Sequence, residues 1–422
     1  MAVVSSALIG DQDRFAEYKY EITEFYIITN GITDEFPVER ISDFKIENHF
    51  EEADFPILKL TVLMESSRYY SMMKNKNNVK FKLRIQSYYT INGDNKGEKS
   101  LYRDVINDTF SFFPDDDNND YEKELKDEAG TSDDRNELDA LSNYIELFLF
   151  KDSFVTGLRS SYNNILNNCT MSTAVAYLLY MAGVKNVLMS PFENQKVYGS
   201  IVLPPISIVK IIRYLNNNFG FHKQGTIVYF GLFHSYILNC KAECTAYAPK
   251  EWKETVIYVF EKNNRHSALS SAILKPNEEK YYYSVQTDGI DISSKTVSSN
   301  VITGTDAITI DMKAGTTTKK SSNAKTLGKS NSAVLFNNSS NPYMEETFTA
   351  QMHANSTIVS LVLENVSIEA FNPNKVFSLI FESPTLNEKY KGTYRIASSI
   401  FSFTNNGACY VVTATVVLKK VS

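Results

Sequence analysis

The sequence predicts a β-rich α+β fold in which two β blocks flank a small module of helices and strands. Three observations support this class. Apolar and polar residues alternate in both the N-terminal and C-terminal parts, as expected of half-buried strands. Tyr and Phe number 26 each while Gly numbers 17, a balance that favours pleated strands. The clearest helical spacing of apolar residues lies between the two blocks.

The size and charge of the chain limit the number of domains and the classes of protein to which it can belong. Its 422 residues exceed the roughly 250–300 at which a single core stops growing, so two or three domains are expected. A net charge of −6 argues against a stable nucleic-acid partner, because phosphate binding needs clustered cations. The sequence has no apolar run of the roughly 18 residues that a membrane span needs.

Targeting signals and cysteines point to a reducing compartment. Residues 1–10 lack the basic region and long apolar core of a signal peptide, so synthesis in a cytoplasm is expected. The four cysteines are too few and too scattered for a disulfide framework. They are Cys169, Cys240, Cys244 and Cys409. We predict that all four are reduced.

The first predicted domain covers residues 14–153. Val79, Phe81, Leu83 and Ile85 alternate with polar residues, which is typical of a strand with one buried face. Residues 14–113 hold five or six such strands, enough for a small barrel or sandwich. Residues 114–139 are dominated by Asp and Glu. Too little apolar surface is available there to offset ordering, so a mobile acidic loop is expected.

The second predicted domain, residues 154–253, is the α+β module. Ile208, Ile211, Ile212 and Leu215 recur at helical spacing, and a helix is predicted over residues 206–219. Pro204 and Pro205 precede it and are expected to set its first positions, and Gly220 is expected to end it. Residues 226–230 and 236–238 are predicted strands.

Earlier in this module two further helical segments are predicted. One rests on the spacing of apolar residues between 155 and 166. Those residues are Val155, Leu158, Tyr162, Ile165 and Leu166. The other covers residues 174–181, with Thr170 or Ser172 as its N-cap and Gly183 at its end.

The third predicted domain covers residues 254–422 and is again β-rich. Strands are predicted at residues 255–260, 280–285, 358–363, 376–381, 394–403 and 410–418. Asn405, Asn406 and Gly407 join the last two as a hairpin. Residues 313–341 are predicted to be an exposed, mobile loop, since residues 313–329 hold five lysines and no carboxylate. A phosphate-binding arm is the less favoured interpretation, because arginines and aromatics are not interleaved there.

Two groups of residues could suggest metal sites. Asp115, Asp117 and Asn119 begin like a calcium loop, which then needs Gly and Glu where this chain has Asp120 and Lys126. A solvated acidic loop is therefore favoured. Cys240 and Cys244 have a spacing that zinc could use, with His222 and His234 nearby, but the histidine spacing fits no signature. Buried thiols and a surface histidine are favoured.

Catalysis finds little support in the sequence. Nucleophile-elbow, metalloprotease and phosphate-loop motifs are absent. A carboxylate pair of the glycosidase type is spatial and stays open, although the acidic residues cluster in the segment predicted to be a loop. We predict no catalytic residues, no cofactor and no metal, and a protein that is not an enzyme.

The order of features resembles that of bacteriophage baseplate hub proteins, which lie between tail tube and spike. Residues 50–61, Tyr69–Tyr70 and residues 79–85 resemble the first tube-like domain of that family. Residues 203–207 and 219–221 resemble its inserted module, and residues 372–379 and 390–396 resemble its second tube-like domain. The resemblance implies two tail-tube-like β-barrel domains flanking the insert, which we expect to be separate barrels.

The resemblance also implies a function. It suggests a structural virion protein, a hub that joins the tail tube to the tail spike and forms part of the DNA ejection channel. A homotrimer is implied, in contact with tail tube or distal tail proteins, the spike protein and the tape measure protein. An alternative is another tail-tip component, a distal tail or adhesin-like protein that binds the host surface. A wall hydrolase is a third and weaker alternative.

Overall fold

The computed structural model describes most of the chain, and strands dominate it. The described residues are 15–91, 103–113, 142–240, 254–260, 273–274, 280–286, 290–294, 306–311, 316–320, 332–337, 341–343, 347, 357–407 and 409–421. The prediction of a β-rich α+β fold is confirmed.

The elements follow in chain order. The first β block contains β1 (Phe15–Thr29), β2 (Ile32–Glu35), β3 (Ile41–His49), β4 (Ile57–Glu65), α1 (Ser66–Lys74), β5 (Val79–Ile91), β6 (Arg103–Phe112) and β7 (Ser142–Lys151). The central module contains a π-helical turn (Phe154–Leu158), β8 (Ser161–Cys169), α2 (Met171–Met181), β9 (Val187–Met189), β10 (Tyr198–Ser207), α3 (Ile208–Phe219), β11 (Thr226–Phe230) and β12 (Ser235–Asn239). The second β block contains β13 (Glu254–Phe260), β14 (Ile273–Leu274), β15 (Lys280–Gln286), β16 (Ile290–Ser294), β17 (Asp306–Asp311), β18 (Thr316–Lys320), β19 (Ser332–Asn337), β20 (Thr357–Glu364), β21 (Val376–Phe381), α4 (Pro384–Tyr390), β22 (Gly392–Asn405) and β23 (Tyr410–Lys420).

Eight strands close into a ring. Their order is β22-β3-β4-β7-β6-β5-β1-β23, and β22 pairs with β23 to complete it. The inward residues of β4 alternate strictly, so that Leu58, Leu60, Val62 and Met64 are fully buried. Apolar side chains from the other strands join them in one hydrophobic core. The interior of the ring is therefore packed with side chains.

The hairpin formed by β22 and β23 also belongs to the second β block. The start of β22 pairs with β21, and β23 pairs along most of its length with β20. β13 lies between β21 and β15 and is parallel to both. β17, β18 and β19 form a three-stranded sheet of their own.

The expectation that the two β blocks form separate barrels is wrong. Strands of both blocks belong to one 15-stranded sheet. The reason is the length of β22, whose first residues pair with β21 while Ser398–Thr404 pair with β3. Tyr410 of β23 also pairs with Tyr20 of β1. β22 has 14 residues, so one of its edges is long enough to pair with β21 at its start and with β3 further along. No sequence pattern indicates such a change of partner.

The central module has a hydrophobic core of its own. It consists of the β8–β10 ribbon, the sheet β11-β12-β9, and the helices α2 and α3. The predicted hairpin β11–β12 is confirmed, and Thr170 caps α2 by accepting a hydrogen bond from the Thr173 backbone N–H. Gly183 after α2 and Gly220 after α3 have positive φ values of 67° and 69°, as helix-ending glycines do. The boundaries 154 and 253 stay predictions.

Two local predictions in this module are wrong. Pro204 and Pro205 lie in β10, at the irregularity between Leu203 and Ile206, where a missing amide costs no ladder bond. The helix begins only at Ile208. The segment predicted to be helical over residues 155–166 forms the π-helical turn and then β8, which pairs with β10.

Two predicted loops differ in their outcome. The segment 313–341, predicted to be an exposed, mobile loop, contains the paired strands β18 and β19, and its mobility stays a prediction. The acidic segment 114–139, with the calcium candidates Asp115, Asp117 and Asn119, lies outside the described residues. So do the N-terminal residues 1–10.

Candidate functional site

Of the four residues considered for zinc, Cys240, His222 and His234 lie in the described part of the chain, and they are not grouped as metal ligands. Within the described ranges, no cluster of three or more His, Cys, Asp or Glu side chains could hold an ion. His222 is buried with its Nδ1 2.9 Å from Thr226 Oγ1, and His234 lies in the loop between β11 and β12. Cys244 lies outside the described residues. Cys240 faces Arg395, whose Nη1 lies 3.1 Å from the Cys240 Sγ, and burial raises the pKa of this thiol.

The candidate functional site is instead the junction where the two β blocks and the central module meet. The β22–β23 hairpin is common to both blocks, and the chain between β3 and β4 runs beside it. A backbone hydrogen bond of 3.0 Å joins Phe50 N to Ala397 O. Ala397 is the extra residue of a β-bulge between Ile396 and Ser398. Because a bulge bends its strand, β22 changes partner from β21 to β3 at this point.

A buried chain of hydrogen bonds crosses this junction. Tyr229 Oη in the central module donates to Asn48 Oδ1 in β3 at 3.0 Å. Asn48 Nδ2 in turn donates to Ser399 Oγ in β22 at 3.2 Å. All three residues are buried, and burial raises the pKa of Tyr229 well above its usual range. Three distant parts of the chain are thereby held in one relative position.

An ionic cluster lies next to this chain of hydrogen bonds. Arg395 Nη2 lies 2.9 Å from Glu51 Oε1, and Lys419 Nζ binds the other oxygen of the same carboxylate. Arg395 belongs to β22 and Lys419 to β23, while Glu51 follows β3. The side chains of Arg395 and Lys419 are only 14% and 17% exposed. A charge so little exposed needs its partner, so the cluster fixes the first block on the shared hairpin.

The central module is tied to the same loop. Arg213 on α3 places its Nε 2.6 Å from Asp54 Oδ1, and its Nη2 donates to Ala53 O at 3.0 Å. Phe230 N donates to Asp54 O at 3.0 Å. Phe50 packs edge-to-face on Tyr229, with ring centroids 4.7 Å apart. Residues 50–54 therefore contact all three parts of the molecule.

The outer surface of the ring carries a row of paired charges. Hydrogen bonds from Lys82 and Arg84 lower the pKa of Glu24. Those from Arg84 and Gln86 lower the pKa of Asp104. The arrangement follows from the alternation in β5, whose apolar side chains face the core and whose cations face outward.

The sequence matches the family described as Bacteriophage PBS1 gene 109 protein over residues 8–421. The chain belongs to this family. No match is found among curated protein sequences. None of the described helices is both long enough and apolar enough to cross a membrane.

Solved structures show a shared fold at low identity. A tail protein from Neisseria meningitidis MC58 has a TM-score of 0.50 at 9% identity, with 95% of this chain and 97% of that chain covered. The Francisella PdpA-VgrG complex, in its lidded form, has a TM-score of 0.50 at 11% identity, with 99% of this chain and 55% of that chain covered. The 43 kDa tail protein of prophage MuSo2 from Shewanella oneidensis has a TM-score of 0.48 at 12% identity, with 93% and 96% covered. The resemblance to phage tail proteins drawn from the sequence is confirmed for the fold.

Proposed function

We propose that the protein is a structural component of a phage tail baseplate, the hub that joins the tail tube to the spike. The observation that carries the proposal is the shared hairpin. Each chain joins its two β blocks through β22 and β23, and the Glu51 cluster and the Asn48 hydrogen bonds hold the first block on that hairpin. A hub must present two tube-like units per chain without letting them move relative to each other.

The proposed assembly is a closed homotrimer. Three chains with two β blocks each would present six tube-like units to a sixfold tube and threefold symmetry to the spike. Because the ring interior is packed with apolar side chains, DNA would pass along the axis between the three copies. The proposed neighbours are tail tube or distal tail proteins, the spike protein and the tape measure protein, and the proposed location is the virion.

Sedimentation equilibrium over a wide concentration range tests the assembly. The expected result is a species of three times the mass of one chain that becomes dominant at high concentration. A variant with Glu51→Gln and Asn48→Ala, which loosens the junction, should lower the trimer fraction at a given concentration. A hexamer at all concentrations would contradict the hub and favour the distal-tail alternative.

The protein is expected to lack enzymatic activity, as predicted from its sequence. Incubation with purified cell wall checks this expectation. No solubilised wall fragments should appear above the level given by heat-inactivated protein.

A further inference from the structure

The outer face of helix α2 is uncharged, largely apolar and uncovered. Its exposed residues recur at spacings of three and four along the helix: Thr173, Ala176, Tyr177, Tyr180 and Met181. The opposite face is buried in the core of the central module. A helix that is apolar all round is normally buried on every side. The outer face of α2 is therefore expected to be covered in the assembled protein.

A second uncovered apolar face lies on the β8–β10 ribbon. Ile165 and Val202 are cross-strand partners, and both residues are more than half exposed. The adjacent pair, Leu166 and Ile201, packs on the core of the module. Because successive side chains alternate between the two sides of a strand, Ile165 and Val202 lie on the outer side. This side of the ribbon is open to a further layer of structure.

The central module holds most of the large apolar side chains that are exposed. Ten such side chains are exposed among the described residues, and six of them lie between residues 165 and 202. The sequence there is almost free of charge, since residues 160–184 and 197–209 contain no Asp, Glu, Lys, Arg or His. Exposed apolar patches with few charges mark interaction sites.

Hydrogen bonds hold part of this surface in place before any partner binds. Tyr162 Oη and Tyr177 Oη lie 2.8 Å apart, and Asn164 Nδ2 donates to Tyr162 Oη at 2.9 Å. The ring of Tyr177 is thereby fixed against β8, so that binding costs less side-chain entropy than it would for a free tyrosine. Tyr180 follows one helical turn later and is 79% exposed.

The chemistry of the two faces favours a second copy of the chain as the occupant. The lack of charge removes the attraction that a nucleic acid, an acidic glycan or a charged peptide needs. Branched aliphatic side chains offer no hydrogen bonds to the hydroxyls of a neutral sugar. The occupant must then bring an uncharged apolar surface, and this chain carries two of them.

The net charge of the chain points to the same surfaces. At −6 it makes identical copies repel one another. Copies approach at the lowest electrostatic cost where both contacting surfaces lack charge. The outer face of α2 and the outer face of the ribbon both meet this condition.

We propose that the outer face of α2 in one copy packs on the outer face of the β8–β10 ribbon in the next copy. An apolar helix face and an apolar sheet face are buried together when one packs on the other. The two faces differ, so the contact is heterologous, and its repetition around an axis closes a ring. This inference rests on the proposed homotrimer, and it names the surfaces that the copies share.

Two charged substitutions in the full chain test these surfaces. Tyr180→Glu on α2 and Val202→Lys on β10 should each raise the concentration at which half of the protein is trimeric by at least tenfold, as measured by sedimentation equilibrium. Tyr144→Glu on β7 and Val362→Lys on β20 introduce the same charges at exposed apolar positions outside the module, and should leave that concentration unchanged. All four positions are exposed, so each variant should keep the native melting temperature.

Cross-linking identifies which faces meet. An equimolar mixture of Tyr180→Cys and Val202→Cys chains, treated with a short bismaleimide, should give a cross-linked pair that contains one chain of each variant. Each variant treated alone should give no more product than the native chain, which has four cysteines of its own. A mixture of Tyr180→Cys and Val362→Cys is the matched control and should stay at the same low level.

The contrary results have separate meanings. If the native protein forms trimers and Tyr180→Glu and Val202→Lys form them equally well, the inference is overturned and the hub trimer stands. Cross-linking of Tyr180→Cys with itself would indicate a contact between two α2 helices and would also overturn it. A native protein that stays monomeric up to the highest concentration would contradict the proposed homotrimer, and the contact between copies with it.

Discussion

Three side chains, from Asn48, Tyr229 and Ser399, form a buried chain of hydrogen bonds between the first β block, the central module and the second β block. Their positions could not be predicted from the sequence. Asn48 and Ser399 are 351 residues apart, and each lies in an ordinary alternating strand. A polar residue at a buried strand position is the only local signal, and it does not reveal its partner.

Asn48→Ala is expected to destabilise the protein by about 1–3 kcal/mol, because it leaves two buried hydroxyls without their partner. Urea unfolding measures the loss. Asn163→Ala serves as the control, since Asn163 is exposed in β8, and should change stability by less than about 0.5 kcal/mol. Equal effects of the two substitutions would show that the hydrogen-bond chain contributes nothing.

His222 should make stability depend on pH. Burial lowers its pKa from the usual 6.5, although the Glu193 carboxylate opposes this. The unfolded chain therefore binds a proton at a higher pH than the folded chain does. Stability is full above about 6.5 and falls as pH drops from there toward the folded pKa, below which the loss is complete.

The measurement is the free energy of unfolding at pH 7.5 and at pH 5.5. His222→Gln should show a smaller loss between the two than the native protein shows. His49→Gln, at a half-buried position in β3, is the control and should keep the full loss. A native-sized loss in His222→Gln would contradict the assignment.

Among the elements, those specified by local pattern could be predicted and those specified by distant pairing could not. The apolar stripe of α3, the N-cap Thr170 and the β22–β23 hairpin with its Gly407 turn are all local signals, and all are confirmed. Pro204 and Pro205 were misplaced because proline suits both the first turn of a helix and a strand irregularity. The spacing of residues 155–166 fits a helix, but pairing with β10 makes most of that segment a strand.

Helix α3 should be the main support of the central module. Ile211 and Ile212 are completely buried in its core. Truncation of either to Ala is expected to cost about 2–5 kcal/mol, the sum of lost burial and the cavity left behind. Urea unfolding checks this, with exposed Lys210→Ala as the neighbouring control. A loss below about 0.5 kcal/mol at both isoleucines would mean that this face of the helix is not part of a packed core.

The shared hairpin should depend on Glu51. Glu51→Gln removes the charge that Arg395 and Lys419 share and leaves two little-exposed cations without a counter-charge. We expect a loss of about 1.5–3 kcal/mol, as for hydrogen bonds to charged groups. Glu52→Gln, one residue further along and exposed, should be close to neutral. Comparable losses at both positions would show that the Glu51 cluster does not stabilise the shared hairpin.

At the scale of the whole molecule, the sequence predicted two β blocks around an insert, and the structure adds how they are joined. The hairpin of the last two strands completes the ring of the first block and is also part of the second. Pairing across 350 residues leaves no periodic signal, so separate barrels were the natural expectation. The shared hairpin places strands of both blocks in one continuous sheet, and the proposed hub function depends on this connection.

Electron cryomicroscopy of assembled tails tests the hub most directly. The predicted result is three copies of the chain in one ring below the tail tube, with each copy contributing two adjacent β units, so that six units surround the axis. Six copies in the ring, or a position at the periphery of the baseplate, would contradict the account.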